Sequence, residues 1–366
     1  MKPQTLTTRQ ATLWLTLYYT GSAILVAPTT LTAVAKQDAW IAVLLALGVH
    51  FVVLLIFGPL GRLSGKASVG EFLAKLLGKP IGKIVLALLL LTGPLPVTVF
   101  NIRDLTDFTT NDILNRTPIE AIAFLGLLVV VIGLYLGIQT LGRAADVLFP
   151  LVMVLLLIML VSLLPSITVH HILPVGEYGL KPIVAASILL LGYPYLEPSI
   201  PWMISFKMEK PAQFGKVLRN SALISGLFFL LTTTLTIMRA GPELAAQLSY
   251  PTYFMAKMIN IGDFYQRVEA LLSFLFFIVI FFRQSMLIYV SATGLADLFS
   301  LKNHRTLLIP LVLIVMPLAF NAWSNPSMLF KLDQTWPYFR MIFGVLLPLA
   351  VLIAAIWKQQ RTQSAA

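Results

Sequence analysis

Glu197 and Arg283 are the two residues whose charge and position are suited to chemistry. Glu197 lies in SILLLGYPYLEPSIPWMISF, residues 187–206, and is the single charge in the apolar run 182–206. Gly192, Tyr193 and Tyr195 precede it, and Pro194, Pro198 and Pro201 surround it. A carboxylate there can hold a ligand ammonium, carry a proton, or cap loose backbone amides. Arg283 lies 16 residues after Arg267 and 14 before Asp297, in the middle of another apolar run. An arginine at that depth needs a partner. Glu197, carbonyls of an unwound helix and a ligand carboxylate are the candidates. A third constellation, Thr20-Gly21-Ser22, interrupts the first apolar run with a glycine between hydroxyls.

These residues need a frame that keeps them from water. Of 366 residues, 58% are hydrophobic and 11% charged, with no cysteine. A soluble domain carries roughly twice that charged fraction, so the class is an all-α polytopic membrane protein. Disulfides, thiolate metal sites and thiol nucleophiles are excluded. The net charge of +11 is dispersed between apolar runs, which argues against a nucleic-acid partner. About ten spans are expected, near 11–35, 39–60, 81–108, 118–140, 144–164, 182–206, 217–239, 264–299, 307–323 and 338–357. Each approaches or exceeds the ~20 residues that cross a bilayer core. The first run, at 25 residues, is too long for a signal h-region of about 7–15 residues and is expected to be retained. With a cytoplasmic N-terminus, sixteen Lys and Arg fall inside and eight outside, Arg340 among the eight, so both termini are expected in the cytoplasm.

Three prolines in eight positions cannot all sit in a regular helix, because each lacks an N–H and crowds the preceding turn. The sixth span is therefore expected as two half-helices around an unwound centre, tolerated at membrane depth only where protein or a wet cavity satisfies the backbone. Gly21 lies 12 residues past Arg9, roughly 18 Å into the membrane at 1.5 Å per residue. Ten spans divide into repeats of five, about 11–164 and 182–357, and the two breaks then open each repeat. Five being odd, the repeats enter the membrane in opposite directions, the inverted-repeat transporter plan with a ligand near the midplane. The whole chain reads as one transmembrane domain.

Other polar residues have blander readings. Arg103 and Asp107 form an i,i+4 pair near the end of the third span, which Pro94 and Pro96 should kink. His50 reads as a hydrogen-bonded bundle histidine. Adjacent His170 and His171 lack further ligands at metal spacing. There is no Ser/His/Asp arrangement, HExxH or P-loop, so neither an enzyme nor a cofactor is expected. SVGEFLAKLL, residues 68–77, reads as a short amphipathic surface helix, and 250–261 as a second.

At these residues the chain resembles the B subunits of spore germinant receptors, the GerAB-like spore permeases. The opening LTTRQATLWLTLYYTGSAILVAPT is similar to theirs through Arg9-Gln10, Gly21-Ser22 and Pro28. So are Thr117-Pro118 before the fourth span and the ending FGVLLPLAVLIAAIWKQQR. Gly192 and Glu197 resemble the sixth-helix break of the amino acid–polyamine–organocation superfamily, although GYPYLEPSIP is richer in proline than most such breaks. The resemblance implies a LeuT-type fold with broken first and sixth helices, in a spore inner membrane. It implies a receptor subunit that binds a small nutrient, an amino acid, and works with an A subunit and a lipoprotein C subunit. The alternative is an autonomous amino acid or cation symporter. The ligand site is expected at Thr20, Gly21, Ser22, Gly192, Tyr193, Tyr195, Glu197 and Arg283.

Overall fold

Proline, glycine and cap residues place the helix ends. The computed structural model describes residues 5–21, 23–164, 167–257, 268–323 and 326–364. Thr7 and Gln10 form a capping box that starts α1 (Thr8–Thr20), which stops at Gly21, and α2 (Ala23–Ala35) continues the first span. After α3 (Ala39–Ser64), a second capping box, Ser68 with Glu71, opens the amphipathic α4 (Val69–Leu77), whose Val69 and Leu73 are buried. The third span is α5 (Lys79–Thr92) and α6 (Pro94–Phe108), parted at Gly93 where the proline pair predicts a kink. Then come α7 (Ile119–Leu136) and α8 (Ile138–Leu163). The sixth span is α9 (Leu180–Leu190), a π-helical turn Leu191–Tyr195, and one short turn, α10 (Ser199–Trp202). The chain continues through α11 (Phe214–Gln247), α12 (Pro251–Lys257), α13 (Val268–Phe299) and α14 (Leu308–Phe320). It ends with α15 (Pro326–Arg340), a π-helical stretch Met341–Leu346, and α16 (Leu347–Ser364). Met258 and Ile261 of the second expected surface helix lie outside the described residues.

Among the described residues, eight helical runs are long and apolar enough to cross a membrane, and His304–Phe320 is a shorter apolar helix. The run Ala23–Ser64 holds parts of two expected spans, so each of the ten expected spans has a helical counterpart. The outward faces of α3, α7 and α8 carry exposed Leu55, Val129 and Val147, as expected where lipid is the solvent. Inside, α11 packs along α1, α2 and α3, and α13 packs against α1, α6 and α8. One end is tied by backbone: Leu6 N donates to Lys207 O and Glu209 N to Leu6 O, both at 2.9 Å. The start of the first span is thereby joined to the end of the sixth.

The structure changes two expectations. The half-helix after the sixth-span break is a single turn, because Pro198 and Pro201 remove donors a longer helix would need. Arg340, counted with the outside charges, is also not at the outer edge of the tenth span. The tenth span begins at Pro326, twelve residues before the expected start, which carries Arg340 into the interior at 1% exposure.

Candidate functional site

The site is built on three helix interruptions. At the first, Gly21 has φ +28°, a conformation that disfavours an L side chain, and its N–H still donates to Leu17 O at 3.1 Å. The carbonyl of Tyr18 is left at the break, and Arg283 Nη1 on α13 donates to it at 3.0 Å. A Cβ at Gly21 would overlap Arg283 Cδ, so the glycine makes room for that arginine. At the second interruption, Tyr193 is extended (φ −141°, ψ 112°) and the chain turns through Pro194 to bring Glu197 inward. Arg283 Nη2 lies 3.0 Å from each Glu197 oxygen, and the Tyr18 hydroxyl donates to Glu197 Oε2 at 2.5 Å. The guanidinium also lies over the Tyr18 ring, 4.6 Å from its centroid. Glu197 is 0% exposed and Arg283 3%. One ion pair therefore ties both breaks to the eighth span.

The third interruption is at the kink of the third span. Arg340 Nη1 donates to Thr92 O at 2.7 Å, one residue before Gly93, and Nη2 donates to Leu196 O and Ser199 Oγ at 3.1 Å each. One guanidinium so satisfies carbonyls freed at the third- and sixth-span breaks, which is how irregular backbone survives at membrane depth. Gly344 permits this approach: its added Cβ would lie 2.5 Å from Leu196 O. Among the described residues no carboxylate pairs with Arg340, so the buried centre holds two guanidinia and one carboxylate.

The other expected site residues diverge. The Thr20 hydroxyl is spent within α1 on Thr16 O, at 2.9 Å. Ser22 lies outside the described residues. Gly192 faces the tenth span, where an added Cβ would lie 2.9 Å from Pro337 Cγ. Tyr195 turns toward α3: its ring is 4.7 Å from that of His50, whose Nδ1 donates to Tyr195 O at 2.6 Å. The partner of His50 is thus the backbone of the break. Tyr193 points the other way, stacks on Trp336 and lines a cavity of about 710 Å³. Asp104, Asp107, Asp333, Tyr250 and Trp323 also line this vestibule, with Arg103 bridged to Asp107 at 2.9 Å. Glu197 and Arg283 do not line it and are buried. Tyr18 and Arg340 were missed from sequence. Tyr18 could have been found as the residue three before the break, whose carbonyl must lose its helical donor. Arg340 could have been found from Pro326, a helix-start signal well before the expected boundary.

Among the described residues, the helical counterparts of the ten expected spans, the first and sixth interrupted and joined by a buried ion pair, make up the LeuT-type transporter fold. Solved structures agree. MhsT in complex with L-phenylalanine superposes with a TM-score of 0.68 over 93% of this chain and 87% of that one, at 13% identity. Mhp1, a nucleobase-cation-symport-1 family transporter, gives 0.66 over 93% and 75%, at 10% identity. Within that fold, the chain belongs to the spore germination protein family (Spore_permease), whose model matches residues 5–325. It is 25% identical to spore germination protein KB of Bacillus subtilis over 99% of this chain and 98% of that protein. It is 22% identical to spore germination protein YndE of the same organism, over 97% of each. Spore germination protein A2, also of Bacillus subtilis, is 25% identical over 84% of this chain and 83% of that one. Family and fold are those of permeases, not enzymes, and the protein is an integral membrane protein.

Proposed function

We propose that the chain is the membrane subunit of a spore germinant receptor. It binds a small nutrient, an amino acid, between the interrupted first and sixth spans and passes the event to partner proteins. The observation that carries this reading is the Tyr18–Glu197–Arg283 cluster, which links both interruptions to α13. A zwitterion entering from the vestibule past Tyr193 competes for those groups: its ammonium for Glu197, its carboxylate for Arg283 or Arg340. The exchange changes what holds α13 in place. A ligand shifts such an equilibrium only by its differential affinity for the two arrangements, and a cluster that must be rearranged supplies that difference. The binding residues are Gly21, Glu197 and Arg283 at the centre, Tyr193 at its mouth, and Thr20, Ser22, Gly192 and Tyr195 shaping the breaks.

The partners in this reading are an A subunit and a lipoprotein C subunit, in a spore inner membrane with both termini of this chain cytoplasmic. The repeats run about 11–164 and 182–357. The test is binding and uptake of radiolabelled amino acids by the purified chain in proteoliposomes, with and without the A and C subunits. Saturable binding without accumulation supports a receptor. Accumulation inside the vesicles by the chain alone would replace it with a symporter, and an absence of both, with partners present, would refute the reading.

A further inference from the structure

The vestibule carries more carboxylates than cations. Among the described residues, Asp104, Asp107, Asp112 and Asp333 line it, and Arg103 is the one cation that does. Asp107 is taken up by Arg103, at 2.9 Å, and by Trp323 Nε1, which donates to it at 3.2 Å. Asp112 is bridged by Lys257 at 3.5 Å. Asp333 is half-buried and, among the described residues, has neither a hydrogen bond nor an ion pair. Its carboxylate therefore faces the cavity with no cation of the protein paired to it. A charged group in a membrane-spanning helix calls for a partner. A cleft lined by one sign of charge within low-dielectric walls concentrates ligands of the opposite sign.

Asp333 is also the vestibule end of a line of contacts. Asp333, Trp336, Pro337 and Arg340 are spaced i, i+3, i+4 and i+7 in α15, which puts them on one face of the helix. Trp336 stacks on Tyr193 with ring centroids 5.8 Å apart. Pro337 packs against Gly192 of the sixth-span break, and Arg340 donates to Leu196 O and Ser199 Oγ beyond it. This face runs from the vestibule to the buried centre, roughly 10 Å from Asp333 to Arg340 at 1.5 Å per residue.

On the binding reading above, the ligand's α-carboxylate meets Arg283 or Arg340 and its α-ammonium meets Glu197. A molecule that also satisfies Asp333 needs a second cationic group, held away from the first by an apolar stem that passes the Trp336–Tyr193 stack. A neutral amino acid leaves Asp333 unmatched, and an acidic one sets like charges against it. We propose that Asp333 selects for an amino acid with a basic side chain, such as lysine or ornithine, by receiving the side-chain ammonium in the vestibule. The placement of the ligand's inner end rests on the binding reading; the role of Asp333 as an ammonium site does not. A cation at Asp333 bears on α15, whose Pro337 and Arg340 support the sixth-span break. Occupancy of the vestibule and the geometry of the break are thereby linked through one helix face.

The test uses the purified full-length chain in liposomes. Unlabelled lysine should displace radiolabelled lysine about ten- to a hundredfold better than norleucine, its analogue without the side-chain ammonium, the effect of one charged contact. Asp333→Asn should bring the two to equal potency. A second measurement is modification by a carbodiimide followed by peptide mapping. It should label Asp333, with protection by lysine and by n-pentylamine, which has the ammonium but no carboxylate, and none by norleucine. Equal potency of lysine and norleucine in the wild type would overturn the proposal while leaving the nutrient reading intact. An Asp333→Asn variant that keeps the preference for lysine would overturn it too. Protection by n-pentylamine in a chain that binds no amino acid would uphold Asp333 as an ammonium site and overturn the nutrient reading instead. Labelling of Asp333 unaffected by both lysine and n-pentylamine would overturn the proposal whatever else binds. Should Asp333→Asn fail to accumulate, competition and protection on the wild type decide the matter.

Discussion

Removing one partner of the Glu197–Arg283 pair should do more damage than removing both. The two side chains are 0% and 3% exposed, with Nη2 at 3.0 Å from each carboxylate oxygen. Deleting one member of such a pair leaves a bare buried charge and costs about 3–5 kcal/mol, whereas replacing both by apolar groups of similar volume is often neutral. Among the described residues, Arg283→Met leaves Glu197 with the Tyr18 hydroxyl as its side-chain partner and removes the donor to Tyr18 O. Glu197→Leu leaves Arg283, among the described residues, with the carbonyl and ring of Tyr18. Each single variant should lose about 3–5 kcal/mol, and Glu197→Leu/Arg283→Met should lie within about 1–2 kcal/mol of wild type, the orphaned Tyr18 carbonyl accounting for the residue. The assay is a double-mutant cycle on the purified chain in micelles by reversible unfolding, with abundance in membranes as a second reading. Single losses that add in the double to within about 0.5 kcal/mol would show that the two residues do not act as a unit. A single variant as stable as wild type would refute the argument equally.

Glu197→Gln keeps the shape of the carboxylate. If Glu197 also meets a ligand ammonium, its half-maximal ligand concentration should rise about ten- to a hundredfold at normal abundance, from a charged contact of roughly 1.5–3 kcal/mol; an unchanged curve would remove that contact. Gly21→Leu should abolish the ligand response while the chain still reaches the membrane, because its Cβ takes the place of Arg283 Cδ; a normal dose–response curve would count against it. Arg340→Ala leaves Thr92 O, Leu196 O and Ser199 Oγ without their donor. It should sharply reduce folded protein in membranes, with Arg340→Lys intermediate, and wild-type abundance of the alanine variant would contradict the bridging role. Because Arg283 already occupies the carbonyl at the first-span break, the response should be equal in sodium, potassium and choline chloride at one ionic strength. A saturable sodium requirement would show that an ion site persists there.

The sequence alone carried those features that depend on local chemistry. Membrane class follows from apolar runs longer than a bilayer core, and the kink at Gly93 from Pro94 and Pro96. The break in the sixth span follows from prolines that cannot donate, and the α4 start from Ser68 and Glu71. Gly21 and Gly192 were both legible as helix breaks. What packs against them was not: for Gly21 it is Arg283 on α13, and for Gly192 it is Pro337 on α15. The pairing of Arg283 with Glu197 was one of three open choices, because residues 86 positions apart meet only through the packing of α13 against the two breaks. Arg340 was misplaced because a helix that begins with polar residues hides its start from a hydropathy reading. Its interior position depends on two carbonyls and a serine hydroxyl from the third- and sixth-span breaks, without which a buried guanidinium would not be stable. Side-chain direction was decided in the same way. Tyr193 and Tyr195 are two residues apart in one motif, yet one faces the vestibule and the other His50, since an unwound segment has no helical period to fix which way its side chains point.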